Sequence, residues 1–179
     1  MTIKPPEILE TNRLLLRLPV MEDAQALFQK YARDPEVTKY LIWRPHETIL
    51  VTREFIHRCI LCWQAGTAFP WVVVRRDDRE LVGMLELRID KFQADLGYVI
   101  AREYWGNGFA TEITRSVIEW AMSQKNIFRV WATCDIENSA SARVLEKAGM
   151  QREGVLRRYI IHPNISPEPR DSYCYAIVK

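Results

Sequence analysis

Hydrophobic residues in this chain recur in three patterns: unbroken runs, strict alternation, and helical spacing. Thr11–Leu18 (TNRLLLRL) reads as a first strand stopped by Pro19, after a loose lead-in blocked by Pro5-Pro6. Ala24, Leu27, Phe28 and Tyr31 make one face of a helix over Glu22–Ala32, and Asp34-Pro35 starts a short helical piece ending near Tyr40. Leu41–Thr48 is a loop. Phe55, Ile56, Cys59, Ile60 and Trp63 then mark a helix over Ile49–Ala65, with Gly66 as its stop. Phe69–Arg75 is a continuous apolar run, hence a central strand. Glu80–Ile89 alternates, with Leu81, Gly83, Leu85, Leu87 and Ile89 on one face and Val82, Met84, Glu86 and Arg88 on the other. Leu96–Ala101 and Phe128–Cys134 predict further strands, each followed by a helix (Ala110–Met122 and Asn138–Ala148). Met150–His162 and Arg170–Val178 predict a last strand pair around a proline-rich loop. Hairpins first and two βα units later define an α/β (α+β) chain. The expected sheet is mixed, mostly antiparallel, twisted and of about seven strands, with helices on both faces.

Composition narrows this picture. A length of 179 residues suits one domain, expected to span 1–179. Lys plus Arg (25) nearly cancels Asp plus Glu (23). Without a basic run, that balance argues against a nucleic-acid surface. No apolar run is long enough to cross a bilayer, and the N-terminus lacks a signal-peptide core, so a cytoplasmic monomer or homodimer without membrane partners is expected. Cys59 and Cys62 form a CxxC, but mid-helix and without a second pair, so buried reduced thiols are expected rather than a metal or redox site.

The most informative stretch is Leu96–Met122. A strand, a turn with Gly106 and Gly108, and a helix follow one another directly. That arrangement points several backbone N–H groups at a helix N-terminus, a ready site for phosphate. A dinucleotide-binding oxidoreductase would use the same device, but Gly106-x-Gly108-x-x-Thr111 lacks the third glycine of that fingerprint.

The order of elements, Tyr104–Glu112 (YWGNGFATE), Asn138–Met150 (NSASARVLEKAGM) and the terminal strand pair together resemble a GNAT-family N-acetyltransferase. The likeness runs from Arg13 to Val178. It is greatest to the branch that acetylates ribosomal-protein N-termini, which opens with TxRLxLR as Thr11–Arg17 does. The resemblance implies acetyl-CoA as co-substrate, no metal, and a pyrophosphate held by backbone from Gly106 through Asn107, Gly108, Phe109 and Ala110 to Thr111. Trp105 stands where the family has Gln or Arg, which removes a side-chain donor but leaves the backbone ones. The resemblance also implies an oxyanion donor among Val99, Ile100 and Ala101, from a bulge that splays two parallel strands apart. It points to Asn138 at the pantetheine arm and Ser141 at the sulfur. Both also suit the start of a helix. Many relatives use a tyrosine for the thiolate proton, and none is near Ser141 in sequence.

Acetyl transfer also needs a neutral amine. Glu86, on the strand face with fewer large aliphatics, is the first candidate to take the proton, and a salt bridge to Arg88 or Arg75 is the competing role. Asp95 is second. Glu112 reads as structural. Trp43 and His46, in the loop before the second long helix, fall where the family lines its acceptor channel. His162 and Arg170 flank the terminal loop with no role that sequence suggests. The implied activity is acetyl transfer to a primary amine, foremost a protein N-terminal α-amine, by direct attack in a ternary complex. A small-molecule amine acceptor and a non-catalytic acyl-CoA-binding module are the alternatives.

Overall fold

The computed structural model describes residues 3–179. Eight strands form one sheet: β1 (Leu9–Glu10), β2 (Leu14–Arg17), β3 (Phe69–Arg75), β4 (Leu81–Asp90), β5 (Gln93–Ile100), β6 (Arg129–Asp135), β7 (Gln151–Ile161) and β8 (Pro169–Val178). Their order is β1-β2-β3-β4-β5-β6-β8-β7. Only β5 and β6 run parallel. The expected count of seven misses β1, which has just two residues. It pairs antiparallel with β2 through Leu9↔Leu16 and Glu10↔Leu15, in the segment expected to be a loose lead-in.

The helices are α1 (Asp23–Leu27), continued by one wider turn over Phe28–Ala32, α2 (Pro35–Thr38), α3 (Ile49–Ala65), α4 (Phe109–Ser123) and α5 (Ser139–Lys147). They cover both faces. On one, Ile113, Val117 and Ala121 of α4 and Leu145 of α5 pack on Leu85, Leu87, Leu96, Ile100 and Val130. On the other, Leu27, Ile56 and Cys59 pack on Leu15, Val72, Val74 and Met84. No helix among the described residues is long and apolar enough to cross a membrane.

The alternation expected along β4 breaks at one point. β3 and β4 stay in step up to Val73↔Gly83, then Val74 pairs with Leu81 and Val82 is the extra residue. This β-bulge turns Leu81 to the side of Met84, and Val82 to the side of Leu85 and Leu87. Beside the bulge β4 and β5 are pinched together. A Cβ on Gly83 would stand 2.0 Å from the Val99 carbonyl oxygen and 3.0 Å from Ile100 Cα.

The site is made by what β5 and β6 fail to do. They pair only over Gln93–Asp95 and Arg129–Trp131, after which β6 bonds to β8 alone. From Leu96 on, β5 keeps its ladder to β4 and leaves its other edge open. The β4–β5 register is continuous from Asp90↔Gln93 to Gly83↔Ile100. The splay therefore exists without the bulge expected at Val99–Ala101; the irregularity lies one strand further in, at Val82.

Candidate active site

The split opens into a cleft of about 880 Å³ lined from β4, β5, β6, α5, the glycine turn and the loop after α2. At its anion end, Gly106 and Gly108 have φ of +80° and +77°, left-handed values that glycine adopts without cost. Gly108 is the N-cap of α4. Among the described residues none of the N–H groups from Gly106 to Thr111 has an acceptor, and the first such bond in the helix is Glu112 N to Gly108 O at 3.0 Å. A Cβ on Gly106 would meet nothing within 4 Å. A row of open donors at the positive end of a 15-residue helix fits a pyrophosphate in charge and shape.

A lock that sequence reading only half anticipated holds this turn. Glu112 accepts from Thr11 Oγ1 at 2.6 Å, Arg13 N at 2.9 Å and Arg13 Nε at 2.7 Å. Arg13 Nη1 also donates to the Asn107 carbonyl at 3.0 Å, and its guanidinium lies 4.6 Å over the Phe109 ring. The TxR motif thus ties β2 to the glycine turn and brings one cation to the anion end. Burial works to raise the Glu112 carboxyl, but Thr11 and Arg13 outweigh it and hold the carboxyl below its usual range. A depressed native value contributes stability above the unfolded pKa, and that stability is lost as pH falls through the native value. Glu112→Gln is therefore expected to cost about 1–2 kcal/mol at neutral pH. The gap to wild type in urea melts should shrink below about pH 4. A gap that stays constant with pH would mean that the carboxylate charge is not what the lock uses.

Trp105, the residue that departs from the family pattern, donates its indole N–H to the Ile100 carbonyl at 2.8 Å and pins the end of β5. Of the three residues expected to offer an oxyanion donor, Ala101 is excluded, since its N–H bonds to Val82 O at 2.8 Å. Antiparallel pairing turns successive peptides to opposite sides, so Val99 also faces β4, and the Tyr98 and Ile100 N–H groups point into the split.

On the α4 face, Asn138 caps α5 by accepting from Ser141 N at 3.1 Å. Tyr98 Oη lies 2.8 Å from Ser141 Oγ. The tyrosine missing from the sequence around Ser141 is thus supplied by the fold. The phenol comes from β5 across the split, 43 residues away in sequence. Burial pushes this phenol well above its ordinary range and keeps it protonated.

On the opposite face, turned toward α2 and α3, stand two acidic clusters, one on each side of the split. Arg88 Nη1 bonds Glu86 Oε1 at 2.6 Å, and Arg88 Nε bonds Asp95 Oδ2 at 2.9 Å. Neither expected proton acceptor is therefore free, and the competing salt-bridge role of Glu86 is realised with Arg88. Across the split, the buried Asp135 carboxylate receives Arg170 Nε at 2.6 Å and the Glu137 N–H at 2.9 Å. Burial works to raise this carboxyl, but those donors outweigh it and hold it down.

Trp43 lines the cleft, whereas His46 does not. The His46 ring is buried 4.9 Å from Trp43, with Nδ1 2.9 Å from Thr52 Oγ1. Burial and the nearby Arg58 charge lower its pKa and favour the neutral ring. It supports the Trp43 wall from behind. The Cys59 thiol lies within α3, where burial pushes it up to about 12.

A sheet split after one short parallel pairing, with an open helix N-terminus at its mouth, is the geometry of an acyl-CoA-dependent transferase. Comparison with known proteins agrees: residues 13–151 match the acetyltransferase (GNAT) domain, and the chain belongs to that family. An uncharacterised N-acetyltransferase of Bacillus subtilis, YoaA, is 37% identical over 175 residues, 96% of this chain and 97% of its own. The ribosomal protein uS5-alanine N-acetyltransferase of Escherichia coli is 26% identical over 172 residues, covering 88% and 84% of the two chains. A ribosomal L7/L12 α-N-protein acetyltransferase solved with coenzyme A superposes with a TM-score of 0.84 at 22% identity, over 96% of this chain and 98% of that one. The protein is an acetyl-CoA-dependent N-acetyltransferase.

Proposed function

We propose that the acceptor is a protein N-terminal α-amine and that transfer is direct, within a ternary complex. The observation that carries this is the engagement of Glu86 and Asp95 by Arg88. An α-amine titrates near about 7.7–8.0 and a lysine near about 10.4, so only the former loses its proton readily without a strong free base. Two carboxylates on one guanidinium leave a net charge of about −1 beside the split, which attracts an incoming ammonium. The acceptor's approach runs past Trp43 and Tyr40, which line the cleft. The activities named for the Escherichia coli relative and the coenzyme A-bound neighbour lend further support.

In this reading the pyrophosphate lies on the N–H groups of Gly106–Thr111 with Arg13 beside it. The thioester lies in the split, its carbonyl toward the Ile100 N–H, and Asn138 faces the pantetheine arm. Tyr98, paired with Ser141, returns a proton to the departing sulfur. A panel tests the acceptor: short peptides with free N-termini, the same peptides N-blocked with one lysine, polyamines and aminoglycosides, followed by CoA release. Free N-terminal peptides are expected to exceed the others in kcat/KM by roughly 10²-fold or more, the size of effect that proton-transfer demands command. Preference for a blocked lysine peptide or a small amine would replace the reading. Tight CoA binding without turnover on any amine would favour a non-catalytic module.

A further inference from the structure

His162 follows β7, at the start of the terminal loop. It is 5% exposed, and among the described residues neither of its ring nitrogens has a hydrogen-bond partner. Two unsatisfied nitrogens on a buried imidazole are costly unless something else uses them. The ring borders the cleft, with both nitrogens sealed from solvent just behind its surface. Its Nε2 stands 3.8 Å from Asp135 Oδ2, and the buried Ser172 Oγ, also without a partner, lines the same wall. Asp135 and Ser172 are direct cross-strand partners of β6 and β8.

The position of this group relative to the split matters. On β6, Val130, Ala132 and Cys134 face α4 and α5, so the alternating Trp131, Thr133 and Asp135 face the other way, toward the acceptor. Asp135 ends β6 at the wide mouth of the split, three residues before Asn138 caps α5. The Tyr98–Ser141 pair thus works from the α4 face and His162 from the acceptor face.

We propose that His162 is the catalytic base that deprotonates the acceptor amine, with Asp135 as its positioning residue. The proposal rests on the acceptor reading above and deepens it. The neutral imidazole takes one proton from the acceptor ammonium, and the nearby Asp135 carboxylate stabilises the imidazolium that results. The freed lone pair attacks the thioester carbon and forms the C–N bond. On collapse the C–S bond breaks, Tyr98 gives its hydroxyl proton to the thiolate, and the second proton of the nitrogen restores the Tyr98 hydroxyl. The products are amide, thiol and one proton on His162, which returns to solvent. Glu86 and Asp95, held by Arg88, are left to attract the ammonium. The charged groups around His162 are Asp135 from β6, with Arg170 from β8 and Glu137 behind it. Tyr40 after α2 presents its ring edge at 6.5 Å, with Lys39 Nζ 5.2 Å over that ring.

The test compares His162→Gln, Asp135→Asn and Glu86→Gln with wild type in three measurements: the pH profile of kcat/KM on the best acceptor, acetyl-CoA affinity by calorimetry, and the His162 imidazole titration by NMR. His162→Gln is expected to lower kcat roughly 10²-fold, abolish the acidic limb and leave acetyl-CoA affinity unchanged. Asp135→Asn should move both the limb and the NMR titration to lower pH, because the imidazolium loses its counter-charge. That titration needs no turnover, and it judges the dyad even where His162→Gln fails to fold. An acidic limb retained in His162→Gln, or lost in Glu86→Gln instead, overturns the proposal, as does an NMR titration unmoved in Asp135→Asn. Wild type that prefers another amine class refutes the acceptor reading alone. The limb measured on that amine then judges His162 by the same criteria.

Discussion

Gly108→Val is expected to raise the acetyl-CoA KM roughly 10- to 100-fold while the protein still folds. Two effects combine. At φ +77° a branched side chain is strained by about 1–2 kcal/mol, so the turn relaxes away from the conformation that aligns its N–H groups. The new methyls also project where a phosphate must approach the backbone. The protein itself leaves them room, since a Cβ at this position meets only Arg13 Nη2, at 3.6 Å. The loss should therefore fall on the ligand more than on the core. One or two charge-assisted hydrogen bonds are worth about 1.5–3 kcal/mol each, which sets the expected range. A short acetyl thioester lacking the nucleotide separates phosphate binding from chemistry. With that donor Gly108→Val should lose far less than with acetyl-CoA. Equal losses with both donors would place the damage in the split, and an unaltered KM would remove the pyrophosphate from this turn.

How much of such a site is legible in the sequence depends on the range of the interaction. α3 and β3 occupy Ile49–Ala65 and Phe69–Arg75, the bounds their periodicity predicts, because each is set by local spacing and a stop residue. The glycine turn is equally local. β1 escaped because two residues carry no period and Pro5-Pro6 suggested irregular chain. The Glu86–Arg88 pair was within reach, since residues two apart share a strand face, but the Asp95 contact needs the β4–β5 register. Tyr98 beside Ser141 and Glu112 on Thr11 and Arg13 join segments dozens of residues apart, brought together by the fold alone. His162 carries no sequence signal at all, because its peculiarity is the absence of partners inside a buried wall. A family likeness puts the irregularity at Val99–Ala101, beside the chemistry, whereas here β5 is regular and the bulge lies at Val82, next to the close approach of Gly83 to Val99.

Gly83→Ala is expected to destabilise the fold by about 2–4 kcal/mol, the upper range for forcing extra atoms into a packed interior. In a chain of this size that is a Tm fall of roughly 5–15 °C. The added Cβ would stand 2.0 Å from the Val99 oxygen, and both groups belong to paired backbone with no rotamer to yield. Gly97→Ala is the control on β5, because a Cβ there meets nothing within 4 Å, and it should cost under about 1 kcal/mol. Relief of the Gly83→Ala clash must push β5 away from β4, and the only open direction is the split. Surviving activity should therefore show a lower kcat, with the Ile100 N–H and Tyr98 hydroxyl moved off the thioester. Acetyl-CoA affinity, which the proposed reading assigns to the turn at Gly106–Thr111, should change much less. If Gly83→Ala melts with wild type, the close approach of β4 and β5 at Gly83 does not hold the split open.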